Sequence, residues 1–500
     1  MLLLPMRAMA KIASRHGCSK HVPSPQILFE TLGCRLNQIE SEAAARFFSD
    51  AGFAVTMDVP NAASEKLDSV LLCVVNTCAV TQKAEQKARR VIRLLLEKCP
   101  NASVAVTGCY AELAQSELEL LDWRVAALPG LCKSRLADVP ALLAARMQSE
   151  PRTRFDALAF SELLRSSLFA APTSHADGGK YYFSEDAFRL STDTFLAHSR
   201  ASLKIQDGCN CACSYCAIRL ARGKSVSLPV RDVVARVQEL IAAGQKEVVL
   251  TAVNLAQYRG EYDGAYCTFA DLLEKLLRET SGIAFRISSL YPEIIDERFC
   301  AIVKDERVRP HFHLSVQSGS DAVLQAMKRN YCAEDVARSV ALLRSAKESA
   351  FFACDIIAGF PEESDDDFDK TLALCRACNF SYVHAFPFSA RPGTEAFAMK
   401  QKIPERIKKA RVKTLASFAH AQKIAYIDSW GGKTVRAIAE NAKPGEKEFR
   451  AMTENFLHCA VASSTQELPK AGSEVRVRIV RPLVAAIERG EELEAAAELV

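Results

Sequence analysis

Cys209, Cys213 and Cys216 stand at the spacing C-x3-C-x2-C within Lys204-Ile-Gln-Asp-Gly-Cys-Asn-Cys-Ala-Cys-Ser-Tyr-Cys216, so a single loop can fold them around one inorganic centre. A cubane iron–sulfur cluster offers four irons, and three thiolates leave one of them open. Beside a short loop, that iron can chelate the amino and carboxylate groups of S-adenosylmethionine, whose reductive cleavage yields a carbon radical. Cys211, inside the same loop, is a further thiol that could compete for iron.

A second set of cysteines is dispersed along the chain but equivalent in context. Cys34, Cys78 and Cys109 each follow closely on a strand-like apolar run: Ile27 to Thr31, Val70 to Val75, and Val104 to Thr107. Helical patterns lie between, the first with Ala44, Phe47, Phe48 and Ala51 on one face, the second from Lys83 to Cys99. Strand alternating with helix implies a parallel sheet, and ligands of such sheets bind beyond the carboxyl ends of the strands. The three thiols therefore converge on one edge. Gly33 and Gly108 would let the backbone turn closely around a bulky centre there, and Asn76 and Thr77 offer polar contacts. Three cysteines with no obvious fourth ligand suit a structural zinc site poorly. Lys83, Lys87, Arg89, Arg90 and Arg93 place cations on one helix, either as a solvated face or as a contact for RNA phosphates.

The elements that must position these groups belong to a chain of 500 residues, too long for one ordinary core and suited to about three domains. A hydrophobic fraction of 49% with 25% charged residues excludes wholesale disorder. Lysine and arginine number 64 against 60 acids, so a nucleic-acid surface must come from local clustering rather than bulk charge. No apolar run is long enough to span a bilayer, and the opening Met1-Leu-Leu-Leu-Pro-Met-Arg is too short for a secretory signal, with Met6 or Met9 as alternative starts. The expected location is the cytoplasm, where cysteines at motif spacing read as metal ligands or redox groups. Cys73 and Cys99 fall in apolar patterns and read as core; Cys18 and Cys132 have no motif around them.

Residues 1–25 are an N-terminal extension and 26–147 the first α/β domain. Residues 148–198 read as a long, partly disordered linker in which His175 and His198 are surface positions. From 199 to 430, strand and helix alternate, with strands expected at Leu203 to Gln206, Val248 to Thr251, Phe285 to Ser288, His311 to Ser315, Ala353 to Ile357 and Tyr382 to Phe386. That repeat predicts a partial (βα)6 barrel with its chemistry at the carboxyl ends of the strands, where Thr251, Asn254, Ser288, Ser315, Gln317 and Asp355 could hold a nucleotide. His311 and His313 share a strand face and read as barrel-lining, and Cys354, Cys375 and Cys378 read as core or helix positions. Residues 431–482 carry the strand patterns of a small antiparallel barrel, whose last strand, Val475 to Arg481, places its arginines on a face suited to a phosphate backbone. Residues 483–500 read as an acidic, alanine-rich helix.

With these residues assembled, the chain resembles the methylthiotransferase family of radical S-adenosylmethionine enzymes. The motifs are Thr31-Leu-Gly-Cys34-Arg-Leu-Asn-Gln, Asn76-Thr-Cys78, Thr107-Gly-Cys109-Tyr, the Cys209/Cys213/Cys216 loop, Ser315-Val-Gln-Ser-Gly-Ser-Asp321, Asp355-Ile-Ile-Ala-Gly-Phe-Pro361 and Arg391-Pro-Gly-Thr394. The resemblance implies an α/β multidomain fold: an N-terminal parallel α/β methylthiotransferase domain, a partial (βα)6 radical SAM barrel and a small C-terminal TRAM-like β-barrel that binds tRNA. It implies two 4Fe–4S clusters, an auxiliary one on Cys34, Cys78 and Cys109 and a radical-generating one on Cys209, Cys213 and Cys216. The backbone at Tyr215 should face the adenine of S-adenosylmethionine, with Asn254 and Gln317 near its methionyl and ribose groups.

In such enzymes one S-adenosylmethionine methylates a sulfur on the auxiliary cluster. A second yields a 5′-deoxyadenosyl radical that removes hydrogen from an unactivated carbon, which then receives the methylthio group. Leu203-Lys-Ile-Gln-Asp-Gly-Cys209-Asn and Thr453-Glu-Asn455-Phe look most like the branch acting on N6-threonylcarbamoyladenosine at position 37 of tRNA. Sister branches act on isopentenyladenosine in tRNA or on an aspartate of a ribosomal protein. Expected partners are tRNA, a reductase or a flavodoxin- or ferredoxin-type electron donor, and a sulfur donor of unknown identity, with a monomer as the expected state. Arg219 stands where relatives usually have proline and Ala252 where glycine is frequent, and Cys211 and the long linker also depart from the pattern. A non-catalytic iron–sulfur RNA-binding sensor is the alternative of a different class.

Overall fold

The structure, a computed structural model, describes residues 25–149, 155–168, 185–193, 200–440, 448–463 and 468–500. The N-terminal extension with Cys18, and His175 and His198 of the expected linker, lie outside the described residues.

The first domain is a five-stranded, wholly parallel sheet in the order Ala54–Thr56, Gln26–Thr31, Val70–Thr77, Ser103–Gly108, Val125–Ala127. Its strands are apolar on both faces because helices cover both sides. Leu28, Cys73, Val75, Val104 and Val106 pack under the Gln82–Lys98 helix, which presents Ala88, Ile92 and Leu95 at helical spacing. Ile27, Phe29, Leu72, Val74 and Ala105 pack on the other side against Ala43, Ala44 and Phe48 of the Arg35–Asp50 helix. Ala51, expected on that helix's apolar face, is instead its exposed C-cap.

Part of the segment expected as a long, partly disordered linker is helical. Ala157–Leu163 is a helix capped by Asp156, and Phe160 is buried in the first domain's core. Two hydrogen bonds of 2.7 Å, Ser103 Oγ to the Ala157 carbonyl and Ser161 Oγ to the Arg124 carbonyl, tie it to the sheet. A helix this short carries too few periodic positions to stand out in a polar sequence.

The central domain has the six expected parallel strands, split three and three: Ala201–Lys204, Glu247–Thr251 and Ala284–Ile287, then His311–Gln317, Phe351–Ala358 and Tyr382–Pro387. Isolated bridges Phe285↔Val308 and Leu290↔Leu314 join the halves. Alternate residues such as Leu203, Leu250, Phe285, Phe312 and Phe352 form the core with the outer helices. The two outer strands do not pair with each other, and each is covered by a helix: Arg35–Asp50 of the first domain lies along Ala201–Lys204, and the 24-residue Glu405–Asp428 helix along Tyr382–Pro387.

The last module is a closed barrel in the order Thr434–Ala439, Glu448–Thr453, His458–Ala462, Ala495–Leu499, Glu474–Pro482. This corrects the expected helix over 483–500: only Val484–Arg489 is helical, and Ala495–Leu499 is a strand, parallel to His458–Ala462 and antiparallel to Glu474–Pro482. The expected boundary at 482 therefore cuts the barrel one strand short. Alanine and glutamate favour helix locally, but pairing on both sides outweighs a propensity of a few tenths of a kcal/mol per residue. In Glu474–Pro482, strict alternation from Arg476 and Arg478 would turn Arg481 inward; a register shift between Ile479 and Arg481 keeps it exposed.

Candidate active site

The sheet of the first domain delivers Cys34, Cys78 and Cys109 just beyond three adjacent strands, and hydrogen bonds lock the three turns together. Asn37 Nδ2 donates to the carbonyls of Leu32 and Thr77, at 3.0 and 3.1 Å. Asn76 Nδ2 donates to the Asn37 carbonyl at 2.9 Å, and Thr77 Oγ1 donates to the Thr107 carbonyl at 2.5 Å. The glycines leave no room for a side chain: a Cβ on Gly33 would meet Cys78 Cβ at 2.6 Å, and one on Gly108, at φ +97°, would meet the Thr77 carbonyl oxygen at 2.2 Å. Burial pushes the Cys78 thiol up to about 11 and raises that of Cys109, which the Arg222 guanidinium partly offsets. Cys34 is exposed at the edge of this group.

The second triad sits on a loop between the first barrel strand and the short Ile218–Arg222 helix. Gly208, at φ +68°, packs so closely that a Cβ would stand 2.0 Å from the Lys224 carbonyl oxygen. Ser214 anchors the loop's far side through its amide to the Met327 carbonyl at 3.2 Å and its hydroxyl to the Ala326 carbonyl at 2.7 Å. Cys211 Sγ accepts from Gln257 Nε2 at 2.9 Å, beside Asn254 Nδ2 at 3.7 Å. A hydrogen bond from Cys211 lowers the Cys209 thiol, while burial raises Cys216 to about 11. Among the described residues, no three His, Cys, Asp or Glu side chains are placed to hold a single metal ion. A donor set of three thiols fits a cubane iron–sulfur cluster with one iron left open.

Two arginines absent from the sequence-derived site stand beside the triads, Arg222 by Cys109 and Arg329 by Cys213. Arg222, buried six residues after Cys216, donates to Asp207 at 2.9 and 3.0 Å, to Glu40 at 3.2 Å and to Asn37 Oδ1 at 2.7 Å. Lys204 and Lys133 complete the cluster on Glu40, at 3.1 and 2.6 Å. Burial alone would raise the carboxyls of Glu40 and Asp207, yet Arg222 and the lysines hold both below their ordinary values. Arg329 donates to Cys213 Sγ at 3.4 Å, with its guanidinium 4.8 Å from the ring centroids of both Tyr291 and Tyr331. Arg222 stands beside the cysteine loop in sequence, but Arg329 lies more than a hundred residues away and no local pattern marks it.

One cysteine of each triad, Cys109 and Cys216, lines a single cleft of about 320 Å³ that is open to solvent. Cys109 and Ala79 to Thr81 line it from the first domain; Tyr215, Cys216, Tyr291, Gln317, Asp355, Phe386 and Arg391 line it from the barrel mouth. Tyr215 and Gln317 thus reach the cleft. Asn254 does not line it; it caps the Leu255–Gln257 turn, accepting from the Ala256 amide at 2.9 Å. Of the two histidines on the His311–Gln317 strand, His313 Nε2 lies 3.0 Å from Asp355 Oδ2 near the cleft. His311 lies at the opposite end of the strands, its ring centroid 3.9 Å from that of Phe456 in the terminal module.

That opposite end is sealed by charge and by a hairpin. Glu247 accepts from Arg286 Nε and Arg309 Nε at 2.7 and 2.9 Å, with Arg200 at 3.7 Å; despite full burial its carboxyl is held down at about 2. Arg286 also donates to the carbonyls of Thr453 and Glu454, both at 3.1 Å. Thr453-Glu-Asn455-Phe is therefore the turn that docks the terminal barrel on the floor of the central one.

Comparison with known proteins agrees with this layout. Residues 203–375 match the profile of the radical SAM superfamily, and residues 26–130 that of uncharacterized protein family UPF0004. The threonylcarbamoyladenosine tRNA methylthiotransferase MtaB of Treponema pallidum is 44% identical over 91% of this chain and 98% of its own length. The protein of the same name from Thermotoga maritima is 35% identical over 83% and 86%. The tRNA-2-methylthio-N(6)-dimethylallyladenosine synthase of Anaeromyxobacter dehalogenans is 30% identical over 96% and 97%.

Proposed function

The chain belongs to the radical SAM methylthiotransferase family, and we propose that it attaches a methylthio group to C2 of N6-threonylcarbamoyladenosine at position 37 of tRNA. The observation that carries this reading is that Cys109 and Cys216, one from each triad, line the same cleft. The choice of modified adenosine rests on similarity to a relative named for threonylcarbamoyladenosine at 44% identity, against 30% for one named for dimethylallyladenosine.

Cys209, Cys213 and Cys216 would hold one 4Fe–4S cluster and Cys34, Cys78 and Cys109 a second. The first would supply the electron for cleaving S-adenosylmethionine and the second the sulfur to be transferred. The remaining tasks fall to protein groups. Tyr215, Tyr291, Phe386 and Phe388 wall the cleft with rings on which an extruded base can stack, and Gln317 and Asp355 offer polar contacts to its edges. Arg329 fixes Cys213 from the barrel side. Arg222, bonded to Asn37 and Glu40 of one domain and Asp207 of the other, sets the distance between the two thiol groups.

The test is nucleoside mass spectrometry of tRNA incubated anaerobically with reconstituted protein, reductant and S-adenosylmethionine. The methylthio derivative of threonylcarbamoyladenosine is expected. A product on isopentenyladenosine alone would move the chain to the sister branch, and 5′-deoxyadenosine without any modified nucleoside would remove the tRNA substrate.

A further inference from the structure

Resting on the tRNA reading above, we propose that the first turns of the Gln82–Lys98 helix together with Arg391 form a phosphate track that leads the RNA backbone into the cleft. The helix starts at the cleft's lip. Its N-cap Thr81 lines the cleft, and the Gln82 amide donates to Ser389 Oγ at 3.2 Å across the domain boundary. Lys83, Lys87 and Arg90 are exposed and lie at i, i+4 and i+7, one row on one face, with Arg93 exposed beside it. The helix has only two carboxylates. Glu85 is spent on Arg391, and Glu97 lies in the last turn against Lys98 at 3.4 Å. The row itself carries only cations where it meets the cleft, with Glu30 of the first domain's sheet facing Lys87, and the positive end of the helix dipole points the same way.

Arg391 stands at the inner end of the row. It is 4% exposed and lines the cleft; Glu85 takes Nη2, whereas Nε and Nη1 are buried without any hydrogen-bond partner. Buried donors of this kind call for a ligand, and Nε and Nη1 can each donate to an anionic oxygen that the guanidinium charge also attracts. An acidic protein surface could meet the outer lysines, but it would not reach a recessed arginine between aromatic walls. A nucleic-acid strand, with a phosphate at every step and bases to stack, fits both halves of the track.

The experiment measures tRNA binding by the reconstituted full-length protein as a function of salt. Lys83→Glu/Lys87→Glu/Arg90→Glu is expected to weaken binding by at least about tenfold and to flatten the plot of log K against log salt by about 2–3. Cleavage of S-adenosylmethionine without RNA should stay at the wild-type rate in that variant. Arg391→Lys, which keeps the charge but not the Nε and Nη1 donors, should raise KM for tRNA several-fold with KM for S-adenosylmethionine unchanged. Lys370→Glu, a single charge reversal on another exposed helix, should behave as wild type. The track is overturned if the triple variant keeps wild-type affinity and slope, if Lys370→Glu loses as much, or if Arg391→Lys raises KM for S-adenosylmethionine instead. Wild-type protein that binds no tRNA would remove the substrate reading itself, a result separate from an indifferent triple variant.

Discussion

Cys34, Cys78 and Cys109 are carried just beyond the ends of three strands far apart in sequence, whereas Cys209, Cys213 and Cys216 come from one loop. The first arrangement is rigid before anything binds. Its turns are cross-braced by Asn37, Asn76 and Thr77, and its strands are buried on both faces. The second is one loop gripped along its length by other elements: Gly208 against Lys224, Cys211 under Gln257, Arg329 on Cys213, and Ser214 against Ala326 and Met327. The sheet site is thus positioned by the strands that carry it, the loop site by the neighbours packed onto it.

The largest test of this difference is Cys213→Ala. 5′-Deoxyadenosine formation should drop to background while the protein stays folded and keeps about half its iron, that of the sheet-built site. Loss of all iron would show that the triads do not load independently.

Next comes Arg222→Met, which removes the link between the two. Leaving Glu40 and Asp207 buried without it should cost about 3–5 kcal/mol by chemical denaturation. The pH dependence follows from the depressed carboxyls. In the wild type their contribution is fully present above the ordinary carboxylate range and is lost as pH falls through their lowered folded values. In Arg222→Met the loss should begin at higher pH, because Glu40 and Asp207 no longer have the cation that held their protons off. An unchanged acid limb would show that the lysines alone suffice.

Gly108→Ala is the smaller probe of rigidity. With φ at +97° and the Thr77 carbonyl in the way, it should cost about 1–3 kcal/mol from backbone conformation and lower iron bound at the first triad, leaving 5′-deoxyadenosine formation in place. Thr81→Ala should do least. Losing the cap bond to the Ala84 amide is worth about 1 kcal/mol, read as a small shift in melting temperature with both clusters loaded.

Much of this layout was legible in the sequence because each of its elements is locally encoded. Short apolar runs followed closely by cysteine gave the strand-end triad, and close spacing gave the loop. Tyr215 and Gln317 lie in motifs and do reach the cleft. Groups paired across long separations were not legible. Arg222 bonds Asn37 and Glu40 from more than 180 residues away, and nothing near Arg329 announces Cys213. Isolated arginines in a sequence look solvated, and only the fold shows which are buried. Ala495–Leu499 escaped for the opposite reason: its composition is informative and points the wrong way, since neighbouring strands set its conformation. The two short edge strands, Ala54–Thr56 and Val125–Ala127, are too brief to show alternation.

The hairpin at Thr453 to Phe456 carries one more consequence. These residues are part of what makes the chain look like one branch of its family, yet Thr453 and Asn455 are fully buried and Phe456 is spent on stacking against His311. They cannot read a nucleoside; they form a plug for a socket built from Arg286 and Arg309. In chimeras that exchange terminal barrels between sister enzymes, plug and socket must travel as a matched pair. A graft that moves the barrel alone would fail at assembly before substrate choice could be measured.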